Sequence, residues 1–197
     1  MARQALPRPG HKGRTGSSIG RNAGRDRSGG KAGRMDTVRT DLAELEAIRR
    51  LKYKYLRCVD LKLWDEIADV FTPDATADYG TPSAGRPLNL NGRDEIIGFL
   101  RESLGNGIIT LHAAGQPEID IDPDTGTATG SWRFTDTVIA TEFRVVISGA
   151  AFYEDRYELG HDGRWRISHT GYQRLYEASM SLDDWPSWQL TANRWAG

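Results

Sequence analysis

The sequence predicts an α+β fold in which N-terminal helices pack into a strongly curved, mainly antiparallel sheet, giving a cone with an interior cavity. Three observations predict it. Helical periodicity fills the first part of the chain and strand-forming residues the last, the order expected when helices cover one face of an antiparallel meander. The strand runs are joined by turn chemistry, Pro123-Asp124-Thr125-Gly126 and His161-Asp162-Gly163, which suits antiparallel neighbours. The runs also exceed the usual five or six residues, and strands that long must curl to pack on helices.

From Asp36 to about Asp60, Leu42, Leu45, Ile48, Leu51, Tyr55 and Cys58 recur at three- and four-residue spacing, widened by Leu56 and Val59; that is a half-buried helix. A short second helix fits Trp64 to Phe71, with Pro73 expected to stop it. Ala75 to Leu90 reads as a short strand and then a loop rich in Gly and Pro (Gly80, Pro82, Gly85, Pro87), a wall or lid for a pocket. A third helix fits Arg93 to Leu104, with Ile96, Ile97, Leu100 and Leu104 as its apolar face. Strands are expected over Ile108 to Ile121, Thr127 to Ala140, Phe143 to Leu159 and Trp165 to Ser179, all rich in Ile, Val, Thr and aromatic residues.

With 197 residues, 38% hydrophobic and 27% charged, the chain suits one ordinary core. The net charge of −1 conceals an asymmetry: residues 1–34 hold nine Lys or Arg against Asp26 alone, so they stand at +8 and the other 163 residues at −9. Those 34 residues include eight glycines and almost no large apolar side chains, too little to offset ordering entropy. Residues 1–34 are therefore expected to be a disordered basic tail, read as an overlong start upstream of Met35, and residues 35–197 the folded domain. The tail lacks the aromatics that stack on bases, so nucleic acid is not an expected partner, and its glycines spoil the amphipathic helix of a transit peptide. No run of about 20 apolar residues offers a membrane span; a cytoplasmic location is expected. Cys58, the only cysteine, cannot form an intramolecular disulfide and reads as a small buried apolar group.

Two polar residues stand out. Asp60 ends the first helix, where the helix dipole disfavours a carboxylate by up to ~1 kcal/mol, and His112 opens a strand. A carboxylate that fixes the tautomer of a facing histidine and stabilises its charged form makes that histidine a competent general base. The bland alternatives are that Asp60 caps the helix near Trp64 or faces solvent, and that His112 sits half-exposed at a strand edge. His11, His161 and His169 fall in the tail, a turn and a strand, with no metal-binding motif around them. Gly105-Asn106-Gly107 is a turn, lacking the preceding strand of a dinucleotide loop.

The run AIRRLKYKYLRCVDLKLWDEIADVFTPDA from Ala47 to Ala75 resembles the opening of the SnoaL-like branch of the nuclear transport factor 2-like superfamily. LHAAGQPEIDI, AFYEDRYEL, GRWRISHTGYQR and SLDDWPSWQLTANRW resemble its strands and C-terminal segment, so the resemblance spans about Asp36 to Trp195. It implies a cone-shaped α+β barrel, commonly a dimer or trimer, with a pocket between sheet and helices. Within the superfamily, scytalone dehydratase, bile-acid 7α-dehydratase and hexachlorocyclohexane dehydrochlorinase look like the relevant relatives, with an Asp on the first helix, a His on a following strand and, in the bile-acid dehydratase, a Tyr five residues before the Asp. Carried over position by position, this implies Asp60, His112 and Tyr55 as catalytic residues and Arg174 as substrate-binding.

Those residue types suit a β-elimination. A neutral imidazole removes a proton beside an electron-withdrawing group, and the Tyr55 phenol donates to a developing oxyanion or leaving hydroxyl; no metal or organic cofactor is needed. A tyrosine on the apolar face of a helix is equally an ordinary core residue. Three functions stay open: a cofactor-independent lyase on a small hydrophobic, polycyclic or steroid-like substrate; an isomerase or cyclase in the same pocket; and a non-catalytic ligand-binding or accessory subunit. Met180, Leu182, Trp185, Trp188 and Trp195 make the C-terminal segment too apolar to float free. It either covers a neighbouring subunit, closes the mouth of the cone, or packs back on its own barrel.

Overall fold

Helix α1 spans Gly29–Leu61 and carries the stripe that seats the sheet. The structure, a computed structural model, describes the backbone of residues 29–196 and the side chains of residues 41–196 apart from Ser83. The chain divides into Met1–Thr37 and Val38–Gly197. Of the first unit only the backbone of α1 from Gly29 is described, so the expectation of a disordered tail lies, for residues 1–28, outside the described residues.

Ile48, Lys52, Tyr55, Leu56, Cys58 and Val59 are buried along α1, the pattern of one helical face. Leu42, expected on that stripe, is 61% exposed instead. Lys52 is 0% exposed, and its Nζ lies 2.7 Å from Asp155 Oδ2 and 3.5 Å from the centroid of the Tyr153 ring. Burial pulls the Lys52 ammonium below its ordinary value, with the Asp155 charge opposing that shift.

The second helix is shorter than predicted: α2 covers Trp64–Ile67, a 3-10 turn follows over Ala68–Val70, and strand β1 begins at Phe71 and runs to Gly80. Pro73 thus lies inside a strand instead of ending a helix. The β1 ladder is interrupted between Phe71 and Thr76, where a residue with no N–H loses no sheet bond. What reads in sequence as loop before Leu90 contains β2, Leu88–Asn91, paired antiparallel with β1 and alternating buried Leu88 and Leu90 with exposed Asn89 and Asn91. Helix α3, Arg93–Ser103, buries Ile96, Ile97 and Leu100 as predicted.

The four long strands are β3 (Ile108–Asp122), β4 (Thr127–Ala140), β5 (Val145–Leu159) and β6 (Trp165–Ser181). β5 starts after Phe143, which sits 75% exposed in the preceding turn. The sheet order is β2-β1-β6-β5-β4-β3. Every pair is antiparallel except β1 with β6, so the first strand and the last lie side by side within the sheet. Register shifts at Gly115/Glu118, Ala150/Ala151 and Arg156/Tyr157 bend the strands. The sheet curls round α1, and the core is the aromatic and aliphatic cluster between them.

Candidate active site

The end of α1 is built to present Asp60. Leu63 N–H donates to Cys58 O at 2.9 Å and Lys62 N–H to Val59 O at 3.2 Å, the paired bonds of a Schellman stop. The left-handed position is held by Lys62 at φ 56°, a conformation that glycine adopts far more easily. The Lys62 side chain is employed in return: Nζ donates to Leu104 O at 2.7 Å and Ile108 O at 2.8 Å, tying α1 to the α3–β3 turn. Burial lowers the Lys62 ammonium from its ordinary value, with Asp60 opposing.

Period-two alternation on β3 turns Thr110 and His112 inward and leaves Leu111 66% exposed. Three donors from this stretch converge on Asp60. Thr110 Oγ1 donates to Oδ1 at 2.9 Å, the His112 backbone N–H donates to Oδ2 at 2.9 Å, and His112 Nδ1 lies 2.7 Å from Oδ1. An ionised carboxylate only accepts, so Nδ1 carries the proton and Nε2 of the neutral ring is left as an acceptor. His112 lines a cavity of about 470 Å³, and Nε2 has no protein partner among the described residues.

Tyr55, five residues before Asp60 and roughly 7–8 Å along the helix axis, reaches the same cavity. Its hydroxyl lies 3.1 Å from that of Tyr79, so one phenol proton of the pair is not used between them. Tyr153 and Tyr172 join these two in the wall. Burial pushes the Tyr55, Tyr79 and Tyr153 phenols well above their ordinary value, and raises Tyr172 as well, so all four are neutral donors.

The opposite wall rests on one row across the sheet. His112 pairs with Asp136, Asp136 with Gly149, and Gly149 with Glu177. Gly149 leaves a gap in the row, and Arg174 fills it: its Nη1 and Nη2 donate to Asp136 Oδ1 and Oδ2 at 2.6 and 2.8 Å. Its Nε lies 3.3 Å from Glu177 Oε2. A Cβ at Gly149 would stand 2.7 Å from Arg174 Nη1 and 2.9 Å from Tyr176 O, so this position demands glycine. Thr81 Oγ1 donates to Glu177 Oε2 at 2.6 Å and ties the Gly and Pro-rich segment to the site.

The structure therefore brings Asp60, His112, Tyr55 and Arg174 to one cavity, with Asp60 reaching it through His112. His169, on β6, bonds Thr76 through Nδ1 at 2.8 Å. Leu182 at the C-terminal end is buried, Trp185 is exposed, and the Trp195 ring lies 5.1 Å from Lys62 Nζ. Among the described residues no group of three or more His, Cys, Asp or Glu is placed to hold a metal ion.

Sequence reasoning missed Asp136, Gly149, Glu177, Tyr79, Tyr153 and Tyr172. Asp136 had a readable signal. Along β4 the buried positions are Ala128, Gly130, Trp132, Phe134 and Asp136, so Asp136 is the charged residue in phase with an apolar series.

This architecture defines a cone-shaped α+β domain of the nuclear transport factor 2-like superfamily. The chain belongs to the SnoaL-like domain family, whose profile matches residues 40–171. A protein of Mycobacterium tuberculosis described as uncharacterized is 28% identical over 151 residues, covering 74% of this chain and 97% of its own. Among solved structures, a scytalone dehydratase candidate from Novosphingobium aromaticivorans superposes with TM-score 0.63 at 20% identity, covering 79% of this chain and 95% of that one. A type 3 hexachlorocyclohexane dehydrochlorinase from Novosphingobium barchaimii gives TM-score 0.61 at 19% identity, covering 71% and 92%. At such identities these two likenesses show the fold.

Proposed function

We propose that the protein is a cofactor-independent lyase that carries out a dehydratase-type β-elimination on a small hydrophobic, polycyclic or steroid-like substrate. The carrying observation is the Asp60–His112 bond, which leaves Nε2 of a cavity-lining imidazole as a free acceptor. Nε2 takes a proton from the carbon beside an electron-withdrawing group. The C–H electron pair forms the new double bond, the neighbouring C–O bond breaks, and the proton held on His112 is available to the departing hydroxide, so that water leaves. Asp60 stabilises the imidazolium formed in between, the role of the carboxylate in other acid–base pairs.

Tyr55, with Tyr79 behind it, donates to the oxygen on which charge develops. Arg174 is already bonded to Asp136 and presents its remaining N–H groups to a neutral substrate oxygen. Two structural relatives support the same reaction class, since one is named as a dehydratase and the other as a dehydrochlorinase, and both names denote eliminations. The test is a panel of hydroxylated polycyclic and steroidal ketones, followed by mass spectrometry for loss of one water. The wild-type protein should convert at least one member, with His112→Gln and Asp60→Asn reducing the rate by roughly 10²–10⁴-fold, the usual share of a general base. Conversion that survives His112→Gln would contradict the assignment.

Among the described residues no helix is long and apolar enough to cross a membrane, which fits the cytoplasmic setting we infer. A homo-oligomer, dimer or trimer, is part of the same proposal. The outward side of the sheet carries exposed Leu111, Phe152 and Tyr176 above a row of small neutral residues, Thr137, Ser148 and Ala178, that pair with one another and with Leu111. Sedimentation should give a mass above that of the monomer, and Leu111→Glu with Tyr176→Glu should lower it.

A further inference from the structure

Besides the tyrosines, the acidic and basic side chains that line the cavity are Arg86, His112, Asp136 and Arg174. Three of them are committed: His112 to Asp60, and Asp136 and Arg174 to each other. Arg86 is different. It makes no ion pair or hydrogen bond with any described residue, and it is exposed while lining the cavity, so it stands where the cavity meets solvent.

The backbone fixes this place. Pro82 opens a 3-10 turn over Pro82–Ala84, Gly85 follows at φ 70° with its N–H bonded to Pro82 O, and Pro87 comes directly after Arg86. Two prolines and a closed turn leave the segment little conformational freedom, so the backbone anchors the base of the Arg86 side chain at the rim. Arg86 also lines the adjoining outer depression with Asp78, with which it makes no ion pair. Deeper in, the Arg174 guanidinium already faces two carboxylates, Asp136 and Glu177, so an anion pushed inside would meet their charge and find no spare cation.

We infer that the substrate carries an anionic group at the end remote from the reacting bond, and that Arg86 binds this carboxylate, sulfonate or phosphate at the rim while the apolar body enters the cavity. The inference rests on the proposed reaction site for its sense of direction. It makes Arg86 a specificity residue that leaves the Asp60–His112 pair untouched.

The test compares two probes of nearly equal shape, 8-anilinonaphthalene-1-sulfonate and uncharged N-phenyl-1-naphthylamine, titrated by fluorescence into the full chain, Arg86→Gln and Asp60→Asn. Movement of the His112 ring resonances reports whether each probe occupies this cavity. Both probes should move those resonances in the wild type. The sulfonate should bind roughly three- to tenfold more tightly than the neutral probe at low salt, as a charge-assisted contact at a solvent edge allows, and less so as salt rises. Arg86→Gln should erase that preference without weakening the neutral probe.

Equal affinities in the wild type, a preference that survives Arg86→Gln, or probes that bind without moving His112 would each overturn the inference. Asp60→Asn separates it from the reaction mechanism, because that variant should retain the sulfonate preference in full even where it has lost elimination.

Discussion

His112 holds Asp60 at two points, donating its backbone N–H to Oδ2 at 2.9 Å and setting ring Nδ1 2.7 Å from Oδ1. One residue thus fixes both the position of the carboxylate and, through it, the orientation of its own ring. Thr110, one inward position earlier on β3, adds a third bond. A carboxylate at the C-terminal end of a helix is disfavoured by the helix dipole, and here these three donors offset that cost.

Gly149 decides whether Arg174 can occupy the far wall. Gly149→Ala should displace the guanidinium, since the added carbon would lie 2.7 Å from Nη1 and 2.9 Å from a backbone oxygen. Asp136, buried and deprived of its partner, then becomes a cost of roughly 3–5 kcal/mol, the usual penalty for breaking a buried pair. Urea unfolding of Gly149→Ala should show a loss of that order, whereas Gly98→Ala, inside helix α3 where a Cβ meets nothing within 4 Å, should show none and a gain of up to about 1 kcal/mol.

Lys52 and Asp155 form a second buried pair, with Thr170 Oγ1 donating to Asp155 Oδ1 at 2.8 Å and Tyr157 OH donating to Oδ2 at 2.7 Å. Lys52→Met and Asp155→Asn should each destabilise the fold by about 3–5 kcal/mol. The double variant should lose less than the sum by more than ~1 kcal/mol, because the second change removes the charge stranded by the first. Strict additivity in denaturant unfolding would count against a direct pair.

His169 should make the fold sensitive to mild acid. Burial, and then the Arg156 charge, lower its imidazole from the ordinary value. Protonation therefore favours the unfolded chain: the contribution is complete above about pH 6.5 and is lost as pH falls from there through the lower folded value. Thermal unfolding of the wild type should weaken over that window, and His169→Gln should flatten the loss.

The helical and strand layers were legible because their periods are long and clean: α3 and the four long strands lie close to where alternation and spacing put them. The short elements were not. β2 is four residues in a stretch crowded with Gly and Pro, and the start of β1 is disguised by Pro73, which a bulged ladder tolerates. The parallel pairing of β1 with β6 joins segments far apart in sequence, and no local pattern announces it.

Asp60 and His112 could be singled out because each is a polar residue at a telling place on its element. Lys52 and Asp136 carry the same kind of signal, a charge in phase with apolar neighbours. Gly149 and Glu177 had none, since their roles come from the row that the sheet register assembles.

The most direct measurement is the nitrogen-15 spectrum of the His112 ring, taken above the pH at which the imidazole is charged, in the wild type and in Asp60→Asn. A protonated Nδ1 and an unprotonated Nε2 in the wild type, giving way to a mixture of tautomers in Asp60→Asn, is the result the general-base account predicts. A proton on Nε2 in the wild type, or a tautomer indifferent to Asp60, would contradict it, because the cavity would then face a donor where the reaction needs a base.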